Sequence, residues 1–185
     1  MRFEMTDLSG LVVVEAEPHR DSRGSFARLF CPQEFAEAGL DFTPVQVNLS
    51  HNIAARTLRG MHYQEAPLAE AKLVRCTSGA IFDVALDLRP QSPTYRQWRG
   101  FELSRANARA VLVPEGFAHG FITLQPDSDV LYQMGRAFVP GHERGIRFDD
   151  PAFNIAWPFA PEAINPRDAA WPDYRPINSL SSASP

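Results

Sequence analysis

The chain has 185 residues, 44% of them hydrophobic, which fits one domain with a core of ordinary size. Its 18 Lys and Arg and 22 Asp and Glu give a formal net charge of −4, and neither sign collects into a run. This pattern argues against nucleic acid as a partner, because nucleic-acid-binding proteins present a concentrated basic surface to the phosphate backbone. No apolar stretch reaches the roughly 20 residues that cross a bilayer, which argues against a membrane protein.

The cysteines and the first residues indicate the compartment. Cys31 and Cys76 do not form a framework of close, even spacings, and the N-terminal residues lack a basic start followed by an apolar run. We therefore expect a cytoplasmic protein whose two thiols are free.

Short strand-like runs, bounded by Gly, Pro, Asn or Asp, recur along the chain. The one clear helix candidate is PQEFAEAG (32–39), with Pro32 in its first turn and Gly39 at its C-terminal cap, and we expect only a few short helices in all. This pattern predicts an all-β sandwich or barrel. The strand-like runs are LVVVEA (11–16), FARLF (26–30), VQVNLS (45–50), TLRGMHY (57–63), KLVRC (72–76), AIFDVALDL (80–88), FELS (101–104), ARAVLV (108–113), GFITL (120–124) and VLYQM (130–134).

The chain shows no internal repeat and no internal linker. Proline accounts for 16 residues, and many of them lie between the runs or in the last third, where we expect ordered loops. We therefore predict a single domain at 1–176, followed by a small, polar and mobile tail at 177–185.

Two strand-like segments carry the first candidates for chemistry. Arg59 and His62 are three residues apart in TLRGMHYQ (57–64). His62 could serve as a base, or it could be a hydrogen-bonded histidine of the core. KLVRC (72–76) places Lys72 at the start of an apolar strand, where an inward amine needs an anionic partner or a ligand. A surface lysine at a strand end would give the same pattern.

VPEGFAHGF (113–121) resembles the second cupin motif, with His119 in a Pro-x-Gly-x-x-His arrangement. A turn with a structural histidine would also produce this sequence. In metal cupins the first motif supplies a His-x-His pair and a later Glu, whereas the corresponding place here, MHYQ (61–64), has His62 alone. Two histidines without a nearby carboxylate ligand make a poor metal site, so we expect no metal and no cofactor.

Tyr132 and a pair of charged residues complete the candidates. The phenol of Tyr132 has an unperturbed pKa near ~10, so it is protonated at neutral pH and can donate a proton. A buried core tyrosine would fit the same apolar strand. Arg167 and Asp168 in INPRD (164–168) form a solvated loop pair or fold back over a pocket.

Together these segments resemble the dTDP-4-dehydrorhamnose 3,5-epimerase family, the third enzyme of dTDP-L-rhamnose synthesis. The resemblance covers nearly the whole chain, and the matching stretches follow the family's order and spacing. Several such stretches in one chain are highly specific, whereas GFAHGF alone would indicate only a cupin. They are DSRGSF (21–26), VQVNLS (45–50), TLRGMHYQ (57–64), KLVRC (72–76), DVALDLRPQSPTY (83–95), VPEGFAHGF (113–121), LYQ (131–133) and INPRD (164–168).

The resemblance implies a homodimeric cupin jelly-roll without a metal, acting on a dTDP-4-keto-6-deoxyhexose. It implies that His62 is the general base, paired with Asp168, and that Tyr132 is the general acid. Lys72 would stabilise the enolate oxygen at C4. The residues implied to contact the nucleotide, diphosphate or sugar are Arg23, Phe26, Arg28, Gln46, Asn48, Arg59, His119, Phe138, Glu143 and Arg167.

Two residues depart from the family's pattern. Arg28 stands where the family commonly has Glu, and Glu70 stands where it commonly has Gln. Because these exchanges create an opposite-charge pair, we expect a salt bridge between them at the nucleotide end of the pocket. With these two residues, the substrate could carry a different nucleobase or sugar, and the enzyme could invert C3 alone or C5 alone. The sequence is also compatible with a ketoisomerase or lyase, a metal-dependent cupin enzyme or a non-catalytic sugar-binding cupin.

Overall fold

A computed structural model of the protein describes residues 1–175, so the predicted tail at 177–185 lies outside the described residues. Within that range the chain forms fourteen strands and two short helices, and no helix there is long and apolar enough to span a membrane. In chain order the elements are β1 (Arg2–Met5), β2 (Val12–Glu15), β3 (His19–Asp21), β4 (Gly24–Phe26), α1 (Pro32–Glu37), β5 (Gln46–Asn52), β6 (Thr57–Gln64), β7 (Lys72–Ser78), β8 (Ala80–Asp87), β9 (Trp98–Ser104), β10 (Arg109–Val113), β11 (Phe117–Thr123), β12 (Ser128–Met134), β13 (Glu143–Gly145), β14 (Ala163–Ile164) and α2 (Pro166–Ala169).

Two six-stranded sheets form the body of the fold. The first has the strand order β1-β2-β10-β7-β12-β5. The second has the order β13-β6-β11-β8-β9, with β14 joined to β6 in parallel, and β3 and β4 form a separate hairpin. Because side chains alternate along a strand, each sheet directs every second residue into the space between the sheets. The predicted all-β jelly-roll is confirmed.

The space between the sheets holds both an apolar core and a polar cavity. Phe117 and Phe121 of β11 and Val130 of β12 belong to the buried apolar cluster. His119 lies between the two phenylalanines on the same face of β11, and Tyr132 lies two residues after Val130 on β12. Both side chains line the cavity instead. The alternation that builds the core therefore also places the polar side chains of the site.

The strand predicted at FARLF (26–30) is wrong beyond Phe26, where β4 ends. The ring centroid of Phe30 lies 4.9 Å from that of Phe35 in α1, within an apolar cluster on the outer face of the first sheet. The apolar side chains of this segment therefore serve an aromatic cluster that covers the sheet, and they do not extend a strand. The helix predicted at 32–39 is confirmed as α1.

Two glycines let β6 and β11 approach closely beside the cavity. Gly60 has a φ of +121°, in the region that favours glycine, and a Cβ on it would lie 2.5 Å from the Cα of Gly120. A Cβ on Gly120 would lie 2.8 Å from the carbonyl oxygen of Arg59. Next to these glycines, where β11 pairs with β6, His119 lies directly opposite His62. Since paired residues of antiparallel strands share a face, both imidazoles point to the cavity side of the sheet.

Candidate active site

A cavity of about 610 Å³ lies between the two sheets. Its size falls within the range of small-molecule sites, about 300–1,000 Å³. Both sheets and the segment around α2 contribute to its wall. The lining residues are Asn48, Ser50, Thr57, Leu58, Arg59, His62, Tyr63, Gln64, Glu70, Lys72, His119, Tyr132, Met134, Phe138, Glu143, Ala163, Ile164, Asn165, Arg167 and Asp168.

His62 projects from β6 into the cavity with a carboxylate behind its ring. Its Nε2 atom lies 2.7 Å from Oδ1 of Asp168, and the backbone N–H of Gly60 donates to Oδ2 at 3.2 Å. The imidazole is 47% exposed, whereas the carboxylate is 7% exposed. Burial acts to raise the pKa of Asp168, but the hydrogen bonds with His62 and Gly60 outweigh it and hold the pKa below its usual value. Asp168 is therefore ionised at neutral pH and can orient the imidazole.

The segment that carries Asp168 is fixed by local contacts. The side chain of Asn165 caps α2 by accepting a hydrogen bond from a backbone N–H of its first turn at 2.9 Å. Just before it, β14 pairs in parallel with β6. Trp171 fills the space over Gly145, where a Cβ would lie 2.0 Å from the indole Nε1. These contacts hold the carboxylate against β6.

A second imidazole, that of His119, faces the cavity from β11. Its Nε2 atom lies 2.7 Å from Oδ1 of Asp83 on β8, and both side chains are buried. From the opposite sheet, the Tyr132 ring meets the His119 ring edge to face, with centroids 5.9 Å apart. Burial, together with the negative charge of Asp83, raises the pKa of Tyr132. The phenol therefore stays protonated at neutral pH and can donate a proton into the cavity.

Lys72 brings a buried amine to the cavity from the start of β7. Its Nζ lies 3.2 Å from Oε1 of Glu70, and the two side chains are 6% and 8% exposed. Gln64 donates to the other carboxylate oxygen of Glu70 at 2.7 Å. Each charge of the pair offsets the cost of burying the other.

Two arginines lie on the cavity wall. Arg59 donates from Nε to Oδ1 of Asn52 at 2.7 Å. Arg167 forms an ion pair with Glu143, and its guanidinium carbon lies 5.3 Å from the ring centroid of Trp171. Both guanidinium groups are thus held by neighbours while lining a space that could take a phosphate.

Phe138 lines the cavity, and because its side chain is 48% exposed, the ring is accessible to a ligand. Gln46 is absent from the lining, yet its side chain supports two residues that belong to it. Its oxygen accepts from the backbone N–H of Phe138 at 3.1 Å, and its amide donates to Oδ1 of Asn48 at 3.1 Å. Gln46 therefore acts on the cavity through these neighbours.

The β3–β4 hairpin carries two predicted binding residues that do not line this cavity. Arg23 forms an ion pair with Asp21 at 2.6 Å, and Phe26 is 77% exposed. Within one chain, the structure therefore leaves Arg23 and Phe26 apart from the other predicted site residues.

The predicted salt bridge between Arg28 and Glu70 is wrong within the chain. Arg28 donates to Oε1 of Glu34 in α1 at 2.7 Å and does not line the cavity. Glu70 is engaged by Lys72 and Gln64 instead. The two departures from the family pattern are therefore structurally independent in a single protomer.

Ser50 and Gln64 line the cavity but are absent from the predicted set. The hydroxyl of Ser50 is buried and has no hydrogen-bond partner within residues 1–175. Strand alternation could have identified both, because Ser50 follows Asn48 by two residues and Gln64 follows His62 by two.

No group of three or more His, Cys, Asp or Glu side chains within residues 1–175 is placed to hold a metal ion. The imidazoles of His62 and His119 are each bonded to a single aspartate.

Comparison with known proteins identifies close similarity over most of the chain. The family model for dTDP-4-dehydrorhamnose 3,5-epimerase matches residues 5–175. An enzyme of that name from Sinorhizobium fredii is 41% identical over 158 residues, covering 85% of this chain and 81% of the relative. The crystal structure of a dTDP-4-dehydrorhamnose 3,5-epimerase from Bacillus anthracis, solved with TDP and PPi bound, matches this chain with a TM-score of 0.91 at 36% identity. The match covers 94% of this chain and 99% of that one. A Legionella pneumophila 3,5-epimerase in complex with dTDP-4-keto-L-rhamnose has a TM-score of 0.86 at 34% identity, with 94% and 98% covered.

Proposed function

Because the chain belongs to the dTDP-4-dehydrorhamnose 3,5-epimerase family, we propose that His62 is the general base of this enzyme and Tyr132 its general acid. The enzyme is an isomerase that converts dTDP-4-dehydro-6-deoxy-D-glucose to dTDP-4-dehydro-L-rhamnose. One observation carries the assignment of roles: the two side chains enter one cavity from opposite sheets, and a carboxylate lies 2.7 Å behind the imidazole.

Proton removal from the sugar needs a base and a site for the charge that develops. A carbon next to a ketone is weakly acidic, and its proton leaves more easily when the carbonyl oxygen is stabilised as the enolate forms. His62 takes the proton, and Asp168 favours the charged form that the imidazole then acquires. Lys72 donates to the C4 oxygen.

Inversion needs a proton delivered to the opposite face of the sugar. Tyr132 comes from the first sheet, whereas His62 comes from the second, so the two groups can address opposite faces of a sugar bound between them. The raised pKa of Tyr132 keeps the donated proton in place until the enolate forms. The reaction needs no redox step.

The remaining cavity residues bind the nucleotide part. Arg59 and Arg167 offer bidentate contacts to the diphosphate, and His119 lies near the sugar and phosphate side. Phe138 provides an exposed ring for the base. The other binding residues are Asn48, supported by Gln46, and Glu143.

We also propose a homodimer built on β5, the edge strand of the first sheet. Val47 and Leu49 on this strand are 60% and 61% exposed. An apolar edge strand is a surface that pairs readily with another chain. Arg23, Phe26 and Arg28 lie outside the cavity of their own chain, so they can bind substrate only if one protomer's hairpin region reaches the cavity of its partner.

Leu49→Arg should weaken this dimer. A charge placed in an apolar interface costs about 3 kcal/mol or more, which is on the order of 100-fold in the dissociation constant. In sedimentation equilibrium we expect the wild type at twice the 20.7 kDa chain mass and the variant near the chain mass. Met5→Arg on β1, at the other edge of the sheet and 58% exposed, is the matched control. Equal masses for the wild type and the Leu49 variant would contradict the proposed interface.

The compartment that we propose is the cytoplasm. Cys31 and Cys76 are free thiols, as in proteins that work under reducing conditions.

One experiment tests the proposed function directly. The protein is incubated with dTDP-4-keto-6-deoxyglucose in deuterated water, and C3 and C5 are followed by NMR. We expect deuterium at both carbons together with the L-rhamno product. Ligand binding without deuterium incorporation would refute the enzymatic role.

Asp168→Asn tests the support of the base. The variant keeps the shape of the side chain but loses its charge, so we expect kcat to fall about 100-fold. It should also lower the free energy of unfolding at pH 7 by about 2 kcal/mol, because a hydrogen bond to a charged group is lost. Since the folded-state pKa of Asp168 is lowered, this contribution is present above the unfolded value of about 3.9 and is lost as the pH falls further. Urea unfolding at several pH values measures it; a constant difference down to pH 2 would contradict the assignment.

A further inference from the structure

Arg75 is a buried arginine on the outer face of the first sheet. On β7, Val74 and Cys76 point into the apolar core between the sheets, so the side chain of Arg75 points the other way. Leu73 shares this outer face and packs in the cluster that contains Phe35 of α1. Arg75 is 3% exposed, whereas arginine is almost never fully buried unless it is paired. Its burial therefore needs an explanation.

Within residues 1–175, no acid offsets the charge of Arg75. Burial lowers the pKa of its guanidinium to about 10, and no carboxylate in this range opposes that shift. The group is still charged at pH 7, and its buried Nε has no hydrogen-bond partner among the same residues. A charge that is buried without an opposite charge destabilises a fold. Stability therefore does not explain why an arginine stands at this position.

The hydrogen bond that Arg75 does form reaches the segment after the β3–β4 hairpin. Its Nη2 donates to the carbonyl oxygen of Leu29 at 2.7 Å. Leu29 lies in the loop between Phe26, where β4 ends, and Pro32, where α1 begins. Arg75 therefore ties the backbone of this loop to the middle of β7.

The hairpin depends on such ties for its position. It forms a two-stranded sheet of its own, and all the residues of β3 and β4 are exposed. In the loop that follows it, Phe30 packs on Phe35, and Arg28, itself exposed, pairs with Glu34. An exposed ion pair contributes little and fixes only a side chain, whereas the bond from Arg75 fixes the backbone at Leu29.

On the premise of the proposed function and homodimer, we propose that Arg75 is a positioning residue that acts in trans. It holds the hairpin region of its own chain where Arg23 and Phe26 bind the nucleotide in the partner's cavity. A region that is ordered before binding loses less freedom when the nucleotide binds, so the affinity is higher. β7 thus serves both cavities of the dimer, with Lys72 directed into its own cavity and Arg75 directed toward the hairpin region.

Arg75→Met separates positioning from stability, because methionine has a long side chain without a charge. In isothermal titration calorimetry the dissociation constant for dTDP should rise about 10-fold, since the hairpin region must then be ordered on binding. We expect kcat at saturating substrate to change less than about 3-fold, because binding is affected and the reacting groups are not. The midpoint of urea unfolding should be unchanged or higher, since a buried charge is removed.

Two further variants and a local measurement accompany this change. Arg96→Met is the matched control, because Arg96 donates to the carbonyl oxygen of Ala152 at 2.9 Å and does not line the cavity. It should leave the affinity for dTDP unchanged. Arg75→Lys keeps a charged donor and should recover part of the affinity. Hydrogen exchange, read by mass spectrometry, should become faster at residues 27–31 in Arg75→Met and stay the same in β11.

Mixed dimers test whether the effect passes to the partner. In a dimer of one Arg75→Met chain and one His62→Ala chain, only the first chain has a working base. Its cavity receives the intact hairpin region of the second chain, so we expect the wild-type KM. When one chain carries both changes and the other is wild type, the working cavity receives the loosened hairpin region, and KM should rise about 10-fold. Co-expression of two differently tagged chains yields both dimers.

The opposite pattern, with KM raised in the first mixed dimer and normal in the second, would overturn the proposal. A folded but less stable Arg75→Met protein with an unchanged dissociation constant for dTDP would also overturn it, because the role would then be structural. If Arg75→Met does not fold, Arg75→Lys in the same mixed dimers decides. A wild-type enzyme that incorporates no deuterium would refute the proposed function instead, and the affinities for dTDP would still decide the role of Arg75.

Discussion

His62→Ala is expected to abolish both deuterium incorporation at C3 and C5 and formation of the inverted product. The imidazole is the proposed base, and loss of a positioned acid–base group costs about 10²–10⁴-fold in rate. No enolate forms at a useful rate without it, so exchange and inversion should fall together. NMR in deuterated water measures both in one sample.

The chain contains a matched control for this variant. His51 also bonds to an aspartate, with its Nδ1 atom 2.7 Å from Oδ1 of Asp129, but it is 56% exposed and does not line the cavity. His51→Ala should leave exchange and inversion unchanged. If His62→Ala kept more than a tenth of the wild-type exchange rate, the base would have to be another group.

Tyr132→Phe is expected to separate exchange from inversion. The variant keeps the ring packed against His119 but removes the hydroxyl of the proposed acid. His62 can still form the enolate and return a solvent-exchanged proton to the face from which it came. Deuterium should therefore enter the starting sugar while the inverted product falls by about 10²-fold or more.

Tyr95→Phe is the matched control for the loss of a hydroxyl. The Tyr95 hydroxyl lies 2.7 Å from that of Tyr174, and neither residue lines the cavity. Binding of dTDP should be little changed in both tyrosine variants, because Lys72 and the arginines remain. Loss of exchange and inversion in the same proportion, in a folded Tyr132→Phe protein, would show that the two roles are not divided between His62 and Tyr132.

The fold could be predicted from the sequence wherever a strand is long and partly apolar. β6, β7, β11 and β12, which carry most of the site, are seven or eight residues long and partly apolar, as expected of strands that pass through the body of a fold. β1 could not be predicted in this way, because three of its four residues are exposed at the edge of a sheet. β14 has two residues, too few to show a period.

Side-chain pairing was less predictable than strand position. Opposite charges suggested that Arg28 and Glu70 form a pair, yet each has a partner closer along the chain, Glu34 and Lys72. The path of the loop before α1 decides where Arg28 lies, and that path depends on packing of aromatic rings. Local sequence does not determine such packing.

Asp168 lies late in the sequence, and this affects the order in which the site forms during synthesis. The ribosome adds Asp168 106 residues after His62. β1 to β14 precede it, and the segment around α2 closes the cavity wall, so the wall is complete only when nearly all of the described chain has been made. A fragment that ends before α2 should therefore lack the partner of His62 however well its sheets form.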